Sequence, residues 1–88
     1  MTVKDIIEEY YHSVEEVVIF DNPSYDEAFI GLSHDDRAIY DYDKMVHCLM
    51  DEGMSMEEAA DFISYNTIRA LSYCPNGPIV LFAIEEGI

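Results

Sequence analysis

The sequence predicts an α+β fold. A small antiparallel or mixed sheet of three to four strands packs against two to four helices in the order α-β-β-β-α-α-β, and residues 1–88 form a single domain. Three observations predict it. Apolar residues recur at helical spacing behind residues that cap helices. Short β-branched and aromatic runs lie between those segments. The length, 88 residues, suffices for one compact core and not for two.

Thr2-Val3-Lys4-Asp5 approximates a capping box, with Asp where Glu is usual, and opens the first helix. Val3, Ile6, Ile7, Tyr10 and Tyr11 form its apolar stripe, Glu8 and Glu9 fall away from it, and the helix is expected to end near His12 or Ser13. Val17-Val18-Ile19-Phe20 reads as a buried strand, which Asp21-Asn22-Pro23-Ser24 terminates. Ala28–Leu32 and Arg37–Tyr40 read as a hairpin turning at Asp35-Asp36, without the usual glycine. Asp43 is the expected cap of the next helix. Met45, Val46, Leu49 and Met50 supply its apolar side, and Gly53 its C′ residue. Ser55 with Glu58 forms a second capping box, and Met56, Ala59, Ala60 and Ile63 follow the helical period. Asn66-Thr67 either interrupts this helix or caps a short further one through Leu71. Pro75-Asn76-Gly77-Pro78 is a stop and turn. Ile79–Ile84, apolar throughout, reads as a strand inside the sheet, covered on both faces.

Charge is the strongest compositional feature. Lys4, Arg37, Lys44 and Arg69 face nineteen acids, for a net charge of −15. Such a balance disfavours direct contact with nucleic acid or an anionic membrane and favours a basic protein or a cation. A plainer reading is that the charge only maintains solubility. The distribution is uneven: residues 62–84 contain no acid and one base, Arg69. The C-terminal third therefore builds core, and the rest carries charged surface. Arg69 amid apolar residues reads as a structural anchor, paired with an acid such as Asp61 or Glu58.

Cys48 and Cys74 do not make a disulfide framework or a metal knuckle. The opening residues lack the apolar run of a signal peptide, and the longest apolar run, six residues, is too short to span a bilayer. The expected location is a cytoplasmic, reducing compartment with both thiols free.

No nucleophile elbow, phosphate-binding loop or glycine-rich cradle is present, and nothing local pairs one of the three histidines with a cysteine as base and nucleophile. No catalytic residue and no cofactor is therefore assigned, and the chain is read as a non-enzyme. Asp43, His47 and Asp51, four apart on one helix, are the weak candidates for a divalent metal. A solvated helix face explains them as well. His34-Asp35-Asp36 is explained by turn chemistry, and Asp41-Tyr42-Asp43 lacks the glycine and distal glutamate of a calcium loop.

The acid array is the remaining candidate. Glu8, Glu9, Glu15, Glu16, Asp35, Asp36, Asp51, Glu52, Glu57 and Glu58 are expected to form a partner-binding surface, with Asp21, Asp26 and Glu27 adding to the crowding. Carboxylates about 5–6 Å apart on helix faces approach the spacing scale of backbone phosphates.

Two segments carry a resemblance. Tyr25–Leu32 running into Asp36–Tyr42, and Glu57–Leu71 followed by Pro78–Leu81, resemble a family of small acidic proteins of unassigned function from phages and mobile elements of Gram-positive gut bacteria (Firmicutes). The resemblance implies a bacterial cytoplasm, and it implies no catalytic residue. Small acidic phage proteins include inhibitors of host nucleic-acid enzymes, so by analogy a nucleic-acid mimic acting on a basic host protein is the sharpest expectation. The alternatives are a divalent-cation-binding protein and a passive structural or assembly protein. Homodimerisation through the sheet or the Met-bearing helices is compatible with the first reading.

Overall fold

A computed structural model describes residues 2–10, 17–21 and 23–84. Helix α1 (Val3–Tyr10) starts on the expected box: Asp5 N–H donates to Thr2 Oγ1 at 3.2 Å and Thr2 N–H to Asp5 Oδ2 at 3.3 Å. A further N–H of its first turn, that of Val3, donates to Asp26 Oδ1 at 3.2 Å, which fastens the helix to a 3-10 turn at Asp26–Ala28. Val3 and Ile7 are buried. The expected end of this helix near His12 or Ser13, together with Glu15 and Glu16, lies outside the described residues.

Strands β1 (Phe29–Leu32) and β2 (Ala38–Asp41) form the expected antiparallel hairpin. Asp36 takes the left-handed position that a glycine would usually fill (φ 61°), a conformation that Asp tolerates. A bulge at Ile30 separates the Phe29↔Tyr40 pair from the Gly31↔Ile39 pair. Helix α2 (Tyr42–Asp51) follows directly. Its cap is Asp41, whose Oδ2 accepts the Lys44 N–H at 3.0 Å, and not Asp43, which lies inside the first turn. At its end Gly53 N–H donates to Met50 O (3.0 Å) and Met54 N–H to Leu49 O (3.2 Å). This is a Schellman closure that requires the positive φ of Gly53, 108°.

Helix α3 (Met56–Phe62) begins on the Ser55/Glu58 box, with both reciprocal bonds formed. It runs without a break into a π-helical segment, Ile63–Ile68, and then into α4 (Arg69–Leu71). Asn66-Thr67 thus neither interrupts the helix nor caps a new one. The chain widens by an i→i+5 turn, and Thr67 is kept on the buried side.

Strand β3 (Ile79–Leu81) pairs parallel to β2, so the sheet order is β1-β2-β3 and the sheet is mixed. Two strand expectations are corrected here. Val17–Phe20 is not a strand. Phe20 gives its N–H to the Tyr40 hydroxyl at 3.2 Å, while Val17, Ile19 and Phe20 pack on the core without joining the ladder. Among the described residues β3 lies at an edge of the sheet, because β2 takes both the hairpin partner and the parallel one. Only Ile79–Leu81 of the apolar run is paired, and Phe82 and Ile84 are exposed.

The core is one cluster centred on Tyr40, Met45, Leu49 and Ile63, each essentially inaccessible. Phe20, Tyr25 and Phe29 surround it in part, with ring centroids 4.6 Å (Phe20–Tyr40), 5.3 Å (Phe20–Tyr25) and 5.7 Å (Phe29–Tyr40) apart. No helix of the described residues is long and apolar enough to cross a membrane.

Candidate functional site

The acids divide into two groups by what their carboxylates do. Asp5, Asp26, Asp41 and Glu58 accept backbone N–H groups at helix starts, and Asp35 accepts the Ser33 hydroxyl in the hairpin turn. These carboxylates hold the fold. Their bonds hold the Glu58 and Asp35 carboxyls below the ordinary range, through the Ser55 backbone N–H and the Ser33 hydroxyl respectively. Glu8, Glu9, Asp21, Glu27, Asp36, Asp43, Asp51, Glu52, Glu57 and Asp61 are exposed and make no side-chain hydrogen bond among the described residues.

Two of the second group stand where local energetics disfavour them. Asp51 lies in the last turn of α2 and Glu52 caps its end, and that last turn contains no base. The partial negative charge of a helix C-terminus repels an acid there by about 0.3–1 kcal/mol each. These two acids do not pay for themselves in helix stability.

Five carboxylates converge on a recess of about 470 Å³ between the 3-10 turn and the end of α2. Asp21, Asp26, Glu27, Asp51 and Glu52 line it, with Pro23, Ser24, Tyr25 and Cys48. Their field is felt by the half-buried Cys48. Burial first, and then Glu27, Asp51 and Glu52, push its thiol pKa up, so the thiolate a nucleophile needs is disfavoured.

Of the expected partner-binding residues, Asp51 and Glu52 thus share one recess, and Glu8, Glu9, Asp35, Asp36, Glu57 and Glu58 stand on α1, the hairpin turn and the start of α3. Asp21, Asp26 and Glu27 lie nearer α1 in the chain, whereas the fold carries them to α2. The signal for that is buried Ala28 beside Glu27, a small residue that lets the turn approach the helix.

The weak metal candidates Asp43, His47 and Asp51 are all exposed on α2. Among the described residues no group of three or more His, Cys, Asp or Glu side chains is arranged to hold a metal ion.

Arg69 is exposed, so the burial that would demand an internal partner is absent, and the anchor role falls elsewhere. Arg37 donates Nε–H to Gly77 O at 2.9 Å and ties the hairpin to the turn that precedes β3.

Comparison with protein-family models, with curated proteins and with solved structures finds no match.

Proposed function

We propose that the chain is a non-enzymatic interaction protein that offers its acids to a basic protein surface. In its sharpest form it acts as a nucleic-acid mimic that occupies the groove of a bacterial nucleic-acid-binding protein, as phage-type inhibitors do. The observation that carries this reading is the set of acids with no task in the fold. Asp51 and Glu52 stand at a helix end that disfavours them, which is a cost that a binding role explains. Charge kept only for solubility could sit at helix N-termini and gain stability there. The recess with Asp21, Asp26, Glu27, Asp51 and Glu52 adds a concave site suited to a protruding Lys or Arg.

The test is capture from a bacterial lysate by the tagged protein at low salt, repeated at high salt and with competing duplex DNA. Recovery of a basic nucleic-acid-binding protein that salt and DNA both displace supports the reading. A partner retained at high salt and indifferent to DNA refutes mimicry.

A further inference from the structure

An apolar cleft adjoins the acidic recess and shares Asp21, Pro23 and Tyr25 with it. It opens where the irregular segment around Phe20 passes the π-helical turn, and it brings Phe20, Pro23 and Tyr25 together with Thr67, Leu71 and Pro78 around about 250 Å³ of space. In its wall stand two hydroxyls, Tyr25 Oη and Thr67 Oγ1, 2.9 Å apart on residues only 2% and 8% exposed. One hydroxyl donates to the other. The proton of the acceptor then has no acceptor of its own among the described residues. A buried donor without a partner is costly, and a polar group of that kind in an apolar wall is how ligand sites fix orientation.

We infer that this cleft binds a compact, uncharged aromatic molecule bearing one hydrogen-bond acceptor, such as a carbonyl, which takes the spare proton of the Tyr25–Thr67 pair. Size sets the class. A dry cavity of about 150 Å³ accepts benzene, so this one takes a single substituted ring and excludes a nucleotide. Charge sets the rest. Among the described lining residues Asp21 is the only carboxylate and none is cationic, and the chain carries −15, so an anionic ligand is repelled. Both hydroxyls are held by unusual backbone. Tyr25 is left-handed (φ 50°, ψ 35°), and Thr67 sits in the π-turn, and such features are found most often at functional sites. Burial raises the Tyr25 pKa above its ordinary value, which keeps the phenol protonated at neutral pH.

The experiment is an NMR titration of the full chain with three probes: acetophenone, its acceptor-free isostere α-methylstyrene, and benzoate. The inference predicts saturable shifts at Thr67, Ala70 and Leu71. Acetophenone should bind about fivefold more tightly than the alkene, the factor that one net hydrogen bond carries. Benzoate should be weaker than both. In the double variant Tyr25→Phe/Thr67→Val, which removes both hydroxyls and keeps the shapes, the ketone should lose its advantage while the alkene still binds. Equal affinity of ketone and alkene for the wild type, tighter binding of benzoate, or no saturable shift at the cleft would overturn it. The wild-type ranking decides the matter alone if the double variant unfolds. The ranking of ketone over alkene involves no charge, so it is read independently of the acids of the proposed partner surface.

Discussion

Replacing Thr67 by Val deletes one hydroxyl of the buried pair and leaves the Tyr25 phenol, 2% exposed, without its protein partner. A buried polar group stripped of its partner costs about 1–3 kcal/mol, and because the cleft opens to solvent the lower half of that range applies, about 1–2 kcal/mol. Tyr25→Phe should cost about the same, through the orphaned Thr67 hydroxyl. The double variant replaces both groups by apolar ones of matching shape, which is close to neutral, so it should lie well above the sum of the singles. For a domain of this size each kcal/mol moves the melting temperature by about 4–8 °C. Single variants are therefore expected about 4–16 °C below the wild type, with the double variant no lower than either single. Urea unfolding monitored by circular dichroism gives the three free energies, and the cycle gives the coupling. Additive losses, or singles indistinguishable from wild type, would refute the claim that this contact is a buried, mutually dependent pair.

Three further outcomes follow from the same structure. Burial pushes the Tyr40 pKa up to about 12 from an ordinary value of 10, so its protonated form stabilises the fold fully below pH 10. That stability, about 2–3 kcal/mol for two pKa units, should be lost as the pH rises from about 10 to 12. Equilibrium unfolding across that range should show the decline, with a smaller one in Tyr40→Phe. Ser55→Ala should cost about 1 kcal/mol in denaturant unfolding by breaking the capping box. The depressed Glu58 carboxyl works in the opposite pH direction to Tyr40: its contribution is present above its ordinary value of 4.5 and lost as the pH falls below it. Arg37→Met should cost about 1 kcal/mol by cutting the bond to Gly77 O, whereas Arg69→Gln should change stability by less than about 0.5 kcal/mol. Comparable losses from both would show that Arg69 is an anchor after all.

Much of the fold is legible because it is written in local chemistry. The Thr2/Asp5 and Ser55/Glu58 boxes, the Gly53 closure and the turn of the hairpin all depend on residues within five positions of one another. Illegible features depend on distant partners. Val17–Phe20 has the composition of a strand, yet its Phe20 N–H is taken by a tyrosine hydroxyl twenty residues away, and composition registers burial without registering pairing. Ile79–Ile84 is apolar enough for a sheet centre, but β2 already has neighbours on both sides. Between Asp41 and Asp43 the cap is decided by where β2 ends, which neither residue announces. At the acidic recess, the crowding of carboxylates is readable, and its assembly from two chain segments, residues 21–27 and 48–52, is a product of the 3-10 turn docking on α2.

The account stands or falls on the acids that do nothing for the fold. Its most direct test is capture from one bacterial lysate, in parallel, by the wild type and by a variant carrying Glu8→Gln, Glu9→Gln, Asp36→Asn, Asp51→Asn, Glu52→Gln and Glu57→Gln. These six side chains have no hydrogen-bond role among the described residues, so the variant should melt within a few degrees of the wild type. The account predicts that a basic nucleic-acid-binding protein is recovered by the wild type and lost with the variant. Equal recovery by both, or recovery by neither, would contradict it and leave the charge with solubility as its role.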